Sequence, residues 1–160
     1  MSGEELIESF YRSFQQHDAE AMVALYSDDV VFSDPVFQDL KGEEAKDMWR
    51  MLVERGGQEL QVFFGDIIAD DIRGITRWEA VYPFKPTGRV VRNKLKASFE
   101  FRDGKIVSHH DCFSLMRWFS MAYGIKGFFF GIFPPARMKL RRMAKKSLEE
   151  YRLKRKMSQE

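Results

Sequence analysis

The hydrophobic positions in the first third of the chain recur every three to four residues, which is the period of an α-helix. Residues 3–16 carry such an apolar face, and residues 42–54 carry another that contains Trp49. Asp18 precedes a short apolar segment between them, where an aspartate can cap a helix by accepting a backbone N–H hydrogen bond. The pattern therefore predicts three N-terminal helices.

Strand signals begin at residues 30–34, which are rich in β-branched and aromatic side chains. We expect this strand to stop at Pro35, because proline cannot donate to a sheet ladder. From residue 59 the apolar period changes to two, and turn sequences divide about 55 residues into four strands. The turn sequences are Asp70-Asp71, Pro86-Thr87-Gly88 and Asp103-Gly104. The pattern predicts a curled antiparallel meander after the helices.

Alternation along the strands assigns side chains to faces, because successive residues of a strand point to opposite sides. In one strand the two predicted faces are Ile75, Arg77, Glu79 and Val81 against Thr76, Trp78, Ala80 and Tyr82. In the last strand they are Val107, His109, Asp111 and Phe113 against Ile106, Ser108, His110 and Cys112. Neighbouring histidine, aspartate and cysteine side chains therefore diverge, and we expect no metal site and no cofactor.

The C-terminal segment, residues 116–160, differs from the rest of the chain in its pattern of apolar residues and in its charge. It contains the aromatic run of residues 128–133, followed by a basic helix candidate. Residues 136–160 carry a net charge of +7 and residues 1–135 carry −5, so the total of +2 hides two oppositely charged parts. We expect the run to cover the mouth of the fold or a subunit interface. The helix would dock through Met138, Leu140, Met143, Leu148 and Tyr151.

The same segment has a second interpretation as a peripheral membrane contact. In that case Phe128 to Phe133 insert into the lipid surface, while the basic tail meets anionic headgroups. We expect no nucleic-acid partner, because the aromatic residues cluster in one run instead of interleaving with the positive charges.

Composition narrows the class of protein further. A chain of 160 residues with 44% hydrophobic and 31% charged side chains fits an ordinary globular protein. Cys112 is the only cysteine, which excludes an internal disulfide and a zinc site with several thiolates. The start MSGEELIESF is acidic where a signal peptide needs a basic start and an apolar run. We therefore expect a cytoplasmic protein.

Several sequence features together resemble a known superfamily. They are Ala24-Leu25-Tyr26-Ser27-Asp28-Asp29-Val30-Val31-Phe32-Ser33-Asp34-Pro35, then Gly42, then residues 99–106 with His109-His110-Asp111 after them. The pattern resembles the nuclear transport factor 2-like superfamily, in its SnoaL-like and ketosteroid isomerase-like branch. The resemblance implies an α+β fold, in which three N-terminal helices and a curled antiparallel sheet form a cone around a pocket. This domain would span residues 1–115, with residues 116–160 as a helical extension.

The resemblance implies two hypotheses for a general base. Ketosteroid isomerases place a base aspartate at the position of Asp34. Their two oxyanion donors correspond to Phe10 and Ala97, which cannot donate, so steroid isomerase activity is disfavoured. SnoaL-type cyclases place the base at the position of Asp111, and His109 shares its predicted strand face. An acid–base isomerase or cyclase of a small apolar carbonyl compound is therefore the leading hypothesis.

Two alternatives remain open. Limonene epoxide hydrolases resemble this sequence at Arg77, Glu79 and Asp111, where two acids and an arginine could open an epoxide. A non-catalytic module that binds a hydrophobic ligand or lipid is the other alternative. Each candidate also has a structural interpretation: a turn for Asp34, a buried hydrogen-bonded pair for His109 and Asp111, and an ion pair for Arg77 and Glu79.

The expected ligand is a small apolar molecule, and the expected assembly is a homodimer formed through the outer face of the sheet. The predicted ligand-binding side chains are Phe10, Phe14, Trp49, Asn93 and Phe113, beside the acids Asp34 and Asp111.

Overall fold

Three helices precede most of the sheet in the computed structural model, which describes residues 1–160. They are α1 (Gly3–Gln15), α2 (Ala19–Ala24) and α3 (Glu43–Gly56). Ser2 and Glu5 form a reciprocal capping box at the start of α1. Asp18 caps α2 by accepting the Ala21 N–H at 2.9 Å, as the sequence predicts. The three predicted N-terminal helices are confirmed.

A curled, unclosed sheet of six strands packs against these helices. The strands are β1 (Tyr26–Ser33), β2 (Leu40–Lys41), β3 (Gln61–Ala69), β4 (Arg73–Phe84), β5 (Arg89–Arg102) and β6 (Lys105–Cys112). Their order is β2-β1-β6-β5-β4-β3. Strands β3 to β6 form the predicted antiparallel meander, and β1 joins its β6 edge in parallel. The fold is therefore the predicted α+β fold, and the three predicted turns separate the meander strands.

Irregular pairing changes two local predictions. Strand β1 begins at Tyr26 rather than at residue 30, because Tyr26 already pairs with Ile106 of β6 before the register shifts. A second register shift follows Glu100 on β5, and it turns Ile106 inward, where the side chain is fully buried. The prediction that Ile106 lies behind His109 is therefore wrong, because uninterrupted alternation does not hold across a bulge.

The core lies between the helices and the inner face of the sheet. On β5 the burial alternates strictly, and the buried positions are Val91, Asn93, Leu95, Ala97, Phe99 and Phe101. Aromatic side chains dominate the interior. They come from α1, β1, α3, β4 and β5 and include Phe10, Tyr11, Phe14, Tyr26, Phe32, Trp49, Trp78 and Phe99.

Three further helices follow the sheet: α4 (Leu115–Tyr123), α5 (Ile125–Ile132) and α6 (Pro134–Met157). Helix α6 returns to α3, where Arg152 and Arg155 contact the buried carboxylate of Asp47 at 3.1 and 2.8 Å. Leu148 is the one buried residue of α6. No helix of the structure is both long and apolar enough to cross a membrane.

The docking face of α6 differs in part from the predicted one. Leu148 and Tyr151 pack on the core, but Met138 and Met143 are more than half exposed, so their predicted docking is wrong. The difference follows from the charged contacts, because the arginines that reach Asp47 fix which side of α6 faces α3.

Candidate functional site

A chain of hydrogen bonds crosses the buried interior from α3 to β6. The Trp49 indole N–H donates to Tyr26 Oη at 2.7 Å, and Tyr26 Oη lies 2.7 Å from His109 Nδ1. His109 Nε2 lies 3.1 Å from Asp111 Oδ1, and the Trp78 indole N–H donates to the same oxygen at 3.0 Å. The structure thus brings together His109 and Asp111, as their shared strand face predicts.

The proton positions in this chain follow from the indole group, which can only donate. Because Tyr26 Oη accepts from Trp49, its own proton is free to donate to His109 Nδ1. The ring proton of His109 then lies on Nε2 and points to Asp111. This arrangement satisfies every donor in the chain, since Trp49 donates to Tyr26, Tyr26 to His109 and His109 to Asp111.

The carboxylate of Asp111 lies at the end of this chain with one oxygen uncommitted. Oδ1 accepts both hydrogen bonds, whereas Oδ2 accepts none. The Asp111 side chain as a whole is 2% exposed. Ala97 lies directly across from Asp111 on β5 and has no side chain long enough to cover it. One oxygen of Asp111 is therefore free to accept a proton.

Tyr11 of α1 supplies an unused donor in the same interior. Its hydroxyl is fully buried and has no hydrogen-bond partner. Burial raises the pKa of Tyr11 well above its usual value, and the charge of Asp111 raises that pKa further. The phenol therefore keeps its proton at neutral pH. A buried hydroxyl without a partner costs folding free energy, so its presence needs a reason.

Sequence reasoning did not select Tyr11 or Tyr26 as site residues. The resemblance placed the helix donor at Phe10, one residue before Tyr11, and the Phe10 ring packs on both Tyr26 and Trp49. For Tyr26 the sequence indicated only that the side chain faces inward at the end of the second predicted helix. Neither signal could show which hydroxyl approaches β6.

Asp34 lies just after β1 in a different environment. Its Oδ1 accepts the backbone N–H groups of Val36 at 2.7 Å and Phe37 at 2.6 Å, which is the turn-forming arrangement that the structural interpretation expects. Oδ2 makes no hydrogen bond. Burial raises the pKa of Asp34 to about 7, against the two backbone N–H groups that lower it, and the charge of Asp111 adds to the rise. Asp34 is thus a half-buried acid that titrates near neutrality.

Arg77 and Glu79 do not join Asp111. Trp78, which lies between them on β4, points inward, so both neighbours point to the outer face. Arg77 is largely exposed and lies 3.9 Å from Asp66, while Glu79 pairs with Arg92 at 2.5 Å. The arrangement that the epoxide hydrolase alternative needs is therefore not formed, because strand alternation puts its parts on opposite sides of the sheet.

The predicted ligand-binding residues occupy two places. Phe10, Phe14 and Trp49 pack edge to face in the buried aromatic cluster. Asn93 lines a surface cavity of about 610 Å³ between β5, α4 and α5. Ser114 also lines this cavity and follows Asp111 by three residues, whereas Phe113 is half-buried beside the core.

No group of three or more histidine, cysteine, aspartate or glutamate side chains is placed to hold a metal ion. His109 and Asp111 are buried on the inner face, whereas His110 and Cys112 are exposed on the outer face. The predicted divergence of these four neighbours is confirmed.

Comparison with protein families gives one match, to the SnoaL-like domain, over residues 7–109. The chain belongs to the SnoaL-like domain family. The match runs from Ile7 in α1 to His109 in β6, so Asp34 and strands β3 to β5 lie within the SnoaL-like region, while Asp111 and the last three helices follow it. A search of curated proteins finds no match to this sequence.

Solved structures share the fold of this SnoaL-like protein. TerC, co-crystallised with polyporic acid, is 17% identical with a TM-score of 0.63, covering 74% of this chain and 95% of that one. An LEH-like epoxide hydrolase of M. tuberculosis is 21% identical with a TM-score of 0.62, covering 80% and 94%. A putative polyketide cyclase of Pseudomonas putida is 22% identical with a TM-score of 0.61, covering 76% and 98%. At these identities the likeness shows the fold alone.

Proposed function

We propose that this SnoaL-like protein binds a small apolar carbonyl compound and catalyses proton transfer next to the carbonyl group, with Asp111 as the base. The observation that carries this proposal is the unpartnered hydroxyl of Tyr11 in the same buried interior as the free oxygen of Asp111. Together these groups offer one proton acceptor and one donor, both unused by the protein. Enolate formation needs this pair of groups.

The proposed reaction moves one proton and creates one oxyanion. Asp111 Oδ2 takes a proton from the carbon next to the carbonyl, and the electron pair of that C–H bond moves toward the carbonyl oxygen. Tyr11 donates a hydrogen bond to the resulting enolate oxygen, which its raised pKa allows because the hydroxyl stays protonated. An isomerase would return the proton to another carbon, and a cyclase would let the enolate attack a second carbonyl group.

His109, Tyr26 and Trp49 act as positioning residues in this proposal. Their hydrogen-bond chain holds Oδ1 of Asp111 from one side, and Trp78 holds it from another. With Oδ1 fixed by two N–H donors, the carboxylate keeps its orientation and presents Oδ2 as the acceptor.

The apolar character of the substrate follows from the side chains around these groups. Phe10, Phe32 and Trp49 contact the His109 ring, and Tyr11 packs on Phe64 and Trp78. We propose that the substrate enters from the cavity at Asn93, because Ser114 on its wall lies only about 10 Å along the chain from Asp111. The co-crystal of TerC with polyporic acid supports an organic ligand for a protein of this fold.

The proposal is tested without knowledge of the natural substrate by deuterium exchange. A bicyclic ketone such as β-tetralone is incubated with the full-length protein in D2O, and deuterium incorporation beside the carbonyl is followed by mass spectrometry. We expect the wild-type protein to accelerate exchange and Asp111→Asn to lose about a hundredfold or more of that acceleration. Asp66→Asn is the matched control, because Asp66 is an exposed aspartate on the outer side of the sheet.

Three results separate the alternatives. Equal exchange by Asp111→Asn and wild type contradicts the proposal, provided that both proteins unfold cooperatively. If only Asp34→Asn loses the exchange, the base is Asp34 and not Asp111. A native mass spectrum with a co-purified apolar ligand, together with no exchange by the wild-type protein, would favour the non-catalytic binding module.

A further inference from the structure

Helix α5 is oriented with its small residues inward and its large residues outward. Gly127 and Gly131 are its only buried residues. A Cβ atom on Gly127 would lie 2.0 Å from the Phe119 carbonyl oxygen, and one on Gly131 would lie 3.0 Å from the Met116 Cα. Helix α5 therefore packs on α4 through its glycines at very close range, and no bulky side chain can replace them at this contact.

The large side chains of α5 consequently face outward. We give the name phenylalanine surface to Phe128, Phe129, Phe130 and Ile132 of α5 together with Phe133, which directly follows the helix, and their exposed fractions range from 43% to 59%. A helix on the surface of a water-soluble domain normally shows the opposite arrangement, with its apolar side against the core. Adjacent exposed aromatic side chains mark a site of contact with another apolar phase.

The chain around the phenylalanine surface is exclusively basic. Residues 112–148 contain no aspartate or glutamate and carry eight lysine and arginine residues. Lys126 lies within α5 itself, and α6 begins at Pro134, directly after Phe133. Exposed Lys139 and Arg142 lie about 9 and 14 Å along α6 from Phe133, at a rise of about 1.5 Å per residue. The apolar surface thus has positive charge on its flank and no negative charge in its own segment.

We propose that α4, α5 and the first half of α6 dock this protein onto lipid bilayers that carry anionic headgroups. The phenylalanine surface enters the boundary between headgroups and acyl chains, and the flanking lysines and arginines contact lipid phosphates. Helices α4 and α5 have nine and eight residues, so the contact is interfacial and does not span the bilayer.

Charge argues for lipid over a second copy of the chain on this surface. Symmetric self-association through the phenylalanine surface would bring two positively charged flanks together, which is unfavourable without intervening acids. An anionic membrane supplies both the apolar phase and the opposite charge. This inference does not depend on the proposed reaction, because it rests on the exposure of the phenylalanine surface and on the charge of its segment.

Vesicle flotation of the full-length protein tests the proposal. We expect binding to vesicles of phosphatidylcholine with about 30 mol% phosphatidylglycerol, much weaker binding to phosphatidylcholine alone, and weakening with added salt. Phe129→Ser with Phe130→Ser should lower the partition coefficient at least about tenfold, because two half-exposed rings are lost. Lys139→Gln with Arg142→Gln should lower it roughly 25-fold, about fivefold for each basic residue near the surface.

Matched controls distinguish binding through this surface from nonspecific hydrophobic or electrostatic binding. Ile72→Ser removes an apolar side chain that is 71% exposed at the β3–β4 turn, and Arg77→Gln with Lys96→Gln removes two exposed charges from the outer face of the sheet. Both controls should bind vesicles as the wild-type protein does. The proposal is overturned if the wild-type protein does not float with anionic vesicles or if the controls lose as much binding. It is also overturned if Phe129→Ser with Phe130→Ser dissociates a dimer and leaves lipid binding unchanged.

Discussion

The raised pKa of Asp34 predicts a specific dependence of stability on pH. An unfolded aspartate ionises near its usual pKa of 3.8, whereas Asp34 in the folded protein ionises at about 7. Between these values the folded state binds more protons than the unfolded state, so the free energy of unfolding falls as the pH rises. Folding is therefore most favoured by this group when the carboxyl is protonated, and the contribution is lost as the pH rises through about 7.

Asp34→Asn isolates this contribution. The asparagine keeps a side-chain oxygen for the Val36 and Phe37 N–H groups, so the turn can persist without the charge. A shift of about three pKa units corresponds to about 4 kcal/mol, which is an upper value because a half-buried carboxyl is partly solvated. Relative to the variant, the wild-type protein should lose about 3 kcal/mol by pH 6 and nearly all of the 4 kcal/mol by pH 8.

The measurement is urea unfolding of wild type, Asp34→Asn and the exposed control Asp66→Asn at several pH values between 4 and 8. The difference between wild type and Asp34→Asn should grow with pH in favour of the variant. Parallel pH curves for wild type and Asp34→Asn would refute the reasoning, since they would mean that Asp34 is not desolvated in the folded protein. Wild type and Asp66→Asn should give nearly parallel curves.

Further predictions concern the buried network, the α6 anchor and the packing of α5, and urea unfolding measures each of them. Tyr26→Phe leaves the Trp49 indole without an acceptor, so we expect a loss of about 2 kcal/mol, and an unchanged midpoint would contradict the network. Asp47→Asn weakens the ion pairs that hold α6 on α3, so it should cost about 2 kcal/mol and make α6 more sensitive to proteolysis. Wild-type stability and proteolysis would show that these ion pairs do not hold the helix. Gly127→Ala should cost about 2 kcal/mol, because the added Cβ would separate α5 from α4. Gly65→Ala is the control and should cost little, because a Cβ there meets nothing within 4 Å. Equal effects of the two variants would refute the close contact between α4 and α5.

Periodicity and turn chemistry predict the architecture of this protein because both are local properties. The apolar faces of α1 and α3, the cap at Asp18 and the turn at Asp103-Gly104 each depend on a few neighbouring residues. The resemblance adds the α+β arrangement of helices against a curled sheet, whereas the parallel pairing of β1 with β6 was not predicted.

The features that were not predicted from the sequence depend on contacts between distant parts of the chain. Bulges in β1 and β5 change which residues face inward, and a period of two cannot report an inserted residue. Arg77 and Glu79 face outward because Trp78 fills the interior, and the sequence pattern alone left both faces available. The orientation of α6 depends on contacts between Asp47 and arginines about a hundred residues later.

The choice between Phe10 and Tyr11 as the hydrogen-bond donor on α1 also depends on contacts between distant parts of the chain. Phe10 and Tyr11 are both fully buried on α1, so helical periodicity admits either as the inward residue nearest the acids. Only the three-dimensional arrangement distinguishes them, because the phenol of Tyr11 lies close enough to Asp111 for its charge to raise the pKa of Tyr11.

We propose that the interior keeps the unpartnered hydroxyl of Tyr11 for chemistry and not for folding. Tyr11→Phe tests it most directly, because the substitution removes only that hydroxyl and leaves the ring packing intact. We predict that the variant is more stable than wild type by about 1 kcal/mol, while its ketone deuterium exchange falls at least about tenfold. Lower stability with unchanged exchange would contradict the claim, since the hydroxyl would then serve the fold.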